Sequence, residues 1–300
     1  MRAGGMKTRV ADKGDAALQE LLRPGQSVAL LQELHILTRD GKLNQDSRRK
    51  LKQVNHLFGF IEKILRELPP AEQGPTLADH GAGKSYLGFI VYDLYMRATG
   101  QGHIYGVESR SELVAASQSL AQRLGFERMR FLNTSVAASA DNPAMPAQID
   151  VVTALHACDT ATDDAIAFGL AKRARAMVLV PCCQAEVAAC LRQSKALNLK
   201  RNALAELWRH PLHTREMGSQ LTNVLRCLYL EAMGYSVTVT ELVGWEHSMK
   251  NELILARHTG RPSPSAAARL VELLGVFGLE ALLHTRFAMP MHNSCSEPRA

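Results

Sequence analysis

Apolar positions recur at three- and four-residue steps over the first part of the chain and in short continuous or alternating runs after it, so the pattern changes near residue 72. Leu18, Leu21 and Leu22, then Val28, Leu30, Leu31, Leu34, Ile36 and Leu37 beyond Pro24-Gly25, have helical spacing broken by a turn. A longer helix follows Asp40-Gly41-Lys42. Leu51, Val54, Leu57, Phe58, Ile61, Ile64 and Leu65 lie on one face, and Arg48, Arg49, Lys50 and Lys52 crowd its start. Pro69-Pro70 and Gly74-Pro75 end it.

From there strands alternate with helices. The predicted strands are Thr76 to Asp79, His103 to Glu108, Met129 to Leu132, Asp150 to Leu155 and Ala176 to Val180, with helices near 84–98, 110–124, 162–174 and 185–197. Five such units predict an open parallel α/β sheet with crossover helices. A basic stretch follows, with Lys200, Arg201, Arg209, His210, His213 and Arg215, then a helix running to Gly234. Tyr235 to Val243 and Glu252 to Arg257 alternate like strands across a short link, which predicts a terminal antiparallel pair. Past Gly260 come one apolar helix around Leu270 to Leu283 and a tail. The expected divisions are a basic helical region over 1–72, the α/β domain over 73–259, and a C-terminal helix and tail over 260–300.

Composition narrows the class. With 300 residues, 46% hydrophobic and 21% charged, the chain is long and apolar enough for an independent core, which excludes a disulfide mini-protein, a collagen and a coiled-coil rod. The net charge of +6 favours an anionic partner but also suits an ordinary enzyme. No apolar run approaches the roughly 18 residues of a bilayer span, and no signal core follows Met1 to Lys7. Six cysteines without framework spacing fit a reducing compartment, so the expectation is a cytoplasmic chain without a membrane partner. Nothing in the sequence fixes the oligomeric state.

The sharpest local signal is Asp79-His80-Gly81-Ala82-Gly83-Lys84, a turn that ends the first strand and leads into an apolar helix. Glycines at 81 and 83 permit a tight turn and close approach of the backbone to a ligand. Tyr86 stands where a third dinucleotide glycine would fall, and the Walker spacing is absent, so neither NAD nor ATP is favoured. Glu108, about 25 positions on, ends the second strand and offers two acceptor oxygens to a ribose diol. That combination suits S-adenosylmethionine, which has no pyrophosphate to cradle.

Two further blocks fall at the carboxyl edge of the predicted sheet, where open α/β sheets place ligands. In Leu155-His156-Ala157-Cys158-Asp159-Thr160-Ala161-Thr162-Asp163-Asp164, the threonines, Asp163 and Asp164 suit a helix start, while His156 and Asp159 are expected next to the loops that hold Gly83 and Glu108. Pro181-Cys182-Cys183-Gln184 leaves three readings open: small buried residues lining the pocket, a nucleophilic thiolate at Cys182 or Cys183, or a zinc cluster with His156 and Cys158. Vicinal cysteines without a C-x-x-C pair argue against zinc, so no metal is expected. Glu246-His247-Ser248-Met249-Lys250-Asn251 fits either a solvated hairpin loop or one closing over an acceptor.

Together these strings, with Asp40-Gly41-Lys42 and the basic helix, resemble a family of class I S-adenosylmethionine-dependent methyltransferases over roughly residues 25–258. Its His-x-Cys and Cys-Cys blocks are similar to those of transfer-RNA 2′-O-methyltransferases. The resemblance implies a Rossmann-like seven-stranded sheet, five parallel units and a terminal antiparallel pair, preceded by a small helical domain. It implies S-adenosylmethionine as cofactor, with Asp79, His80, Gly81, Ala82 and Gly83 at its methionine end, Glu108 at the ribose, and Leu155 and His156 beneath the sulfonium. It also implies that Asp159, Cys182 and Cys183 face the acceptor, as catalytic candidates. An RNA substrate, tRNA or rRNA, is the implied partner, and the basic stretches Arg48 to Lys52 and Lys200 to Arg215 could hold its phosphates. A small-molecule or protein acceptor, and a non-catalytic protein that binds S-adenosylmethionine or RNA, are the alternatives. Two positions depart from the family: His80 replaces the usual Phe or Ile, and Asn133-Thr134-Ser135 stands where an acidic residue often meets adenine.

Overall fold

The computed structural model describes residues 18–41, 44–155, 157, 159–181, 184–201, 203–242 and 252–289. Two helices come first, α1 (Val28–Glu33) and α2 (Gln45–Glu67), each started by a side-chain cap: Ser27 accepts from the Leu30 amide, and Asn44 from that of Ser47. Along α2 the expected stripe is buried from Leu51 through Phe58 and Ile61 to Leu65. Strand β1 (Thr76–His80) follows, then α3 (Tyr86–Val91), which continues through a π-helical turn, Tyr92–Met96, into Arg97–Thr99. Next are β2 (His103–Glu108), α4 (Ser111–Arg123), β3 (Met129–Asn133), α5 (Val136–Ser139), β4 (Val151–Leu155), α6 (Thr160–Ala171) and β5 (Ala176–Val180).

The chain ends with α7 (Glu186–Arg201), a 3₁₀ segment (Ala203–Trp208), α8 (Pro211–Ala232), β6 (Tyr235–Glu241), β7 (Glu252–His258), α9 (Pro264–Phe277) and α10 (Leu282–Thr285). One seven-stranded sheet results, in the order β3-β2-β1-β4-β5-β7-β6. The first five strands are parallel. Neighbours β6 and β7 are joined by only the 242–251 link, too short for a parallel crossover, so they form the expected antiparallel end. The inner parallel strands β1, β2, β4 and β5 are near-continuously buried, as a sheet covered on both faces requires, whereas the edge strand β3 exposes Arg130 and Asn133. The apolar helix expected around 270–283 is instead two pieces. Ser263 caps α9 ahead of Pro264, and Gly278, with φ 67°, terminates it in the left-handed conformation.

Two compact units partition the chain, residues 1–182 with 238–255, and 183–237 with 256–300. No seam appears at 72. Leu30, Leu51, Phe58 and Ile61 share one buried cluster with Phe89, Ile90 and Ile104, so the first two helices have no separate core. Asp93, buried in the π-helical turn, accepts the Ser27 amide at 2.8 Å and pairs with Arg97, fastening the start of α1. In the second unit α8 packs on α7 and α9; a Cβ on Gly218 would lie 2.7 Å from that of Ala188, so only glycine fits there. Gln184, buried, meets Asn223 and Ser219 of α8. No helix among the described residues is long and apolar enough to cross a membrane.

Candidate active site

The sheet order reverses between β1 and β4, and register fixes what meets there: Asp79 lies opposite Gly106 on one side and Thr153 on the other. Gly81 and Gly83 follow with φ of 60° and 56°, in the left-handed region that glycine enters without strain. The Ala82 amide donates to the Val107 carbonyl at 3.1 Å and ties the turn to β2. A Cβ placed on Gly83 would meet nothing nearer than 3.9 Å, and one on Gly81 would touch Ala157 at 3.5 Å. The cradle is therefore open above Gly83, and its far wall is the loop after β4. That geometry, with an acceptor carboxylate alongside, fits the amino-acid and ribose portions of S-adenosylmethionine.

Asp79 is buried, and its carboxylate is engaged by β4 and by the start of α3. Thr153 Oγ1 donates to Oδ1 at 2.8 Å, while Ser85 Oγ, at 3.4 Å, and the Gly88 amide approach the carboxylate from the helix. Desolvation outweighs these bonds and pushes its pKa up to about 6. These bonds anchor the end of β1 to β4 and to the start of α3. Gly88 makes this approach feasible, since a Cβ there would stand 2.6 Å from Ser85 Oγ. Ser85 is itself left-handed, at φ 51° and ψ 37°. Thr153→Val removes the donor that stabilises the ionised form. Because the native state then holds the Asp79 proton more tightly, the variant is expected to lose ~1 kcal/mol at pH 8 and less at pH 4. Urea unfolding at the two pH values measures this.

His80 points to the opposite face, as the alternation of a strand dictates. It is fully buried, with its ring edge-on to Phe168 at 4.3 Å between centroids. Ser139 Oγ donates to the Val136 carbonyl at 2.6 Å, so its single proton is used and His80 Nε2, at 3.3 Å, must be the donor to it. Nδ1 is then a bare acceptor with no partner among the described residues. Burial lowers the His80 pKa to about 3. The side chain expected at the cofactor is thus a packing residue, and only its backbone adjoins the turn.

Glu108 ends β2 where expected. Its Oε2 accepts from the Gly83 amide at 2.9 Å and Arg110 Nη2 at 3.1 Å, and its Oε1 from the Arg110 amide at 3.0 Å and Nε at 2.9 Å. The Arg110 side chain, above all, holds its pKa down to about 2. Asn133 Nδ2 donates to the carbonyls of Glu108 and Ser109, so its carboxamide organises the loop after β2.

Leu155 closes β4 half-buried, in register with Val180. Asp159 precedes α6 with φ 51° and ψ −123°, a conformation that costs a non-glycine residue ~1–3 kcal/mol, and its side chain makes no capping bond. Thr162 Oγ1 donates to the Ala157 carbonyl and closes this loop beside Gly81. His156, Cys158, Cys182 and Cys183, with the 246–251 loop, lie outside the described residues. Sequence reading alone passed over Thr153, Ser85, Gly88 and Arg110. A glycine inside α3 was the one visible signal among them.

Strand order 3-2-1-4-5-7-6, a left-handed glycine turn after β1 and a carboxylate closing β2 define the class I methyltransferase fold. Residues 49–190, just under half of the chain, match the family model described as a methyltransferase domain. Among solved structures it is similar to the SAH-bound methyltransferase PaMTH1 of Podospora anserina, 12% identical over 86% of this chain and 99% of that one, TM-score 0.47. An rRNA methylase from Streptococcus thermophilus is 8% identical over 67% and 96%, TM-score 0.40. Magnesium protoporphyrin IX methyltransferase of Synechocystis, with bound SAM, is 14% identical over 86% and 100%, TM-score 0.38. No curated protein matches the sequence.

Proposed function

We propose that this chain is a methyltransferase dependent on S-adenosylmethionine and that it acts on RNA. The observation carrying that reading is the cluster Arg48, Arg49, Lys50 and Lys52. All four are exposed in the first two turns of α2, where the helix dipole disfavours positive charge, and none makes an ion pair among the described residues. Phosphates would supply the missing counter-charge. Of the second basic stretch, Arg209 pairs with Glu206 and Arg215 with Glu216, which weakens its claim, and the side chains of Lys200 and Arg201 lie outside the described residues.

The cofactor supplies a methyl already activated by its sulfonium. This chain's work is then positioning, exclusion of water and removal of one proton. The backbone at Gly81 to Gly83 receives the amino-acid end, and Glu108 the ribose. Asp159, held in a strained conformation at the carboxyl edge, takes the proton of an attacking hydroxyl or amine. Cys182 would replace it were the acceptor a ring carbon.

Transfer of labelled methyl to total RNA, to protein and to a small-metabolite extract tests the reading. RNA labelling is expected to be selective. Converting Arg48, Arg49, Lys50 and Lys52 to glutamate should lower RNA affinity and flatten the slope of log K against log salt by roughly three. Asp159→Ala should cut turnover while leaving S-adenosylhomocysteine binding intact. Labelling confined to the metabolite or protein fraction would replace RNA by that substrate class.

A further inference from the structure

We propose that Arg110 and the ribose diol of the cofactor compete for the same two lone pairs of Glu108, so that Arg110 sets how tightly the nucleoside is held. The inference rests on the assignment of Glu108 to the ribose made above.

An ionised carboxylate has about four lone-pair directions, two per oxygen. The close donors take all four: on Oε1 the Arg110 amide and Nε, at 3.0 and 2.9 Å, and on Oε2 the Gly83 amide and Arg110 Nη2, at 2.9 and 3.1 Å. Ser109 Oγ is a fifth, longer donor, 3.4 Å from Oε1. The four close donors divide by kind, one backbone amide and one guanidinium nitrogen on each oxygen. The amides belong to the glycine turn and to the start of α4, which the strand ends fix in place. The guanidinium belongs to a side chain that is 59% exposed. If it swings out, the amides keep the carboxylate oriented and one lone pair is released on each oxygen. Two adjacent acceptors of that kind match two hydroxyls on neighbouring ribose carbons.

The position of Arg110 supports the same conclusion. It is the N-cap residue of α4, a place that favours a short acceptor side chain, and α4 has no side-chain cap there. Arginine therefore gives its helix nothing that a serine would not give better. Its Nη2 instead lies over the cradle, the nearest atom to where a Cβ of Gly83 would stand, at 3.9 Å. A nucleoside entering above Gly83 has to move it.

Calorimetric titration with S-adenosylhomocysteine, at 50 mM and 500 mM salt, tests this on the wild type, Arg110→Met and Arg110→Lys. At low salt Arg110→Met is expected to bind about fivefold more tightly than the wild type, the range of an exposed ion pair. The gap should narrow at high salt as the wild-type pair is screened, a response that a merely structural arginine would not give. Arg110→Lys, which keeps the charge but loses the fork, should fall between them and guards against a folding defect in the methionine variant. Binding by the wild type that Arg110→Met leaves unchanged or weakens would overturn the competition alone. Absence of binding in all three proteins would overturn the cofactor site itself, and the competition with it.

Discussion

Replacing His80 by phenylalanine is expected to flatten the acid limb of this protein's stability curve. In the folded chain the imidazole stays neutral down to about pH 3, whereas the unfolded chain protonates it near 6.5. Between those values the unfolded state binds more protons, so stability falls as pH falls. From pH 7.5 to 4.5 the loss amounts to roughly 3 kcal/mol, a large share of a typical 5–15 kcal/mol. Phenylalanine keeps the edge contact with Phe168 and removes Nδ1, which has no partner among the described residues. Ser139 retains its bond to Val136. Asp79 works in the opposite sense, gaining stability as pH falls from about 6 towards 4, but it is present in both proteins and cancels in their difference. Urea unfolding of the pair across this range is the measurement, and parallel curves would refute the assignment.

Glu108→Ala is expected to weaken S-adenosylhomocysteine binding by about 100-fold or more. Two hydrogen bonds to a charged acceptor, each contributing ~1.5–3 kcal/mol, disappear together, and the Gly83 amide loses the partner that holds the turn in place. Glu108→Gln preserves the shape and one acceptor oxygen, so a loss of about tenfold is expected, one bond's worth. Titration calorimetry on both variants, with thermal unfolding to establish that each folds, checks the ranking. Equal affinities for all three proteins would remove Glu108 from the nucleoside site.

Much of the scaffold could be read from periodicity. The five predicted runs fall on the five parallel strands to within a residue or two, and four of them are near-continuously buried, because the apolar content of a doubly covered strand is set locally. Glu108 was legible for a related reason: a carboxylate ending an apolar strand has nowhere to point but the sheet edge. Thr153, Ser85 and Arg110 were not, since each matters through a partner far away in sequence or through a rotamer that no spacing rule predicts. Thr153 looks like a β-former, and becomes a donor to Asp79 only when β1 and β4 pair in this register. His80 stands between these cases. Its identity signalled an anomaly, and the alternation of strand faces already assigned it and Asp79 to opposite sides. A family position is inherited by the backbone, while the side chain follows the parity of the strand.

The shared cluster beneath α2 has a practical bearing on how the chain can be cut. Composition marks a seam near residue 72, and a shortened protein beginning there would keep every strand. It would also strip the cover from Phe89 and Ile90, and it would take away the amide that Asp93 holds in the π-helical turn. The first helices thus wall the same core as β1 and β2, and a piece cut at residue 72 is expected to unfold more readily than one that begins upstream of Ser27.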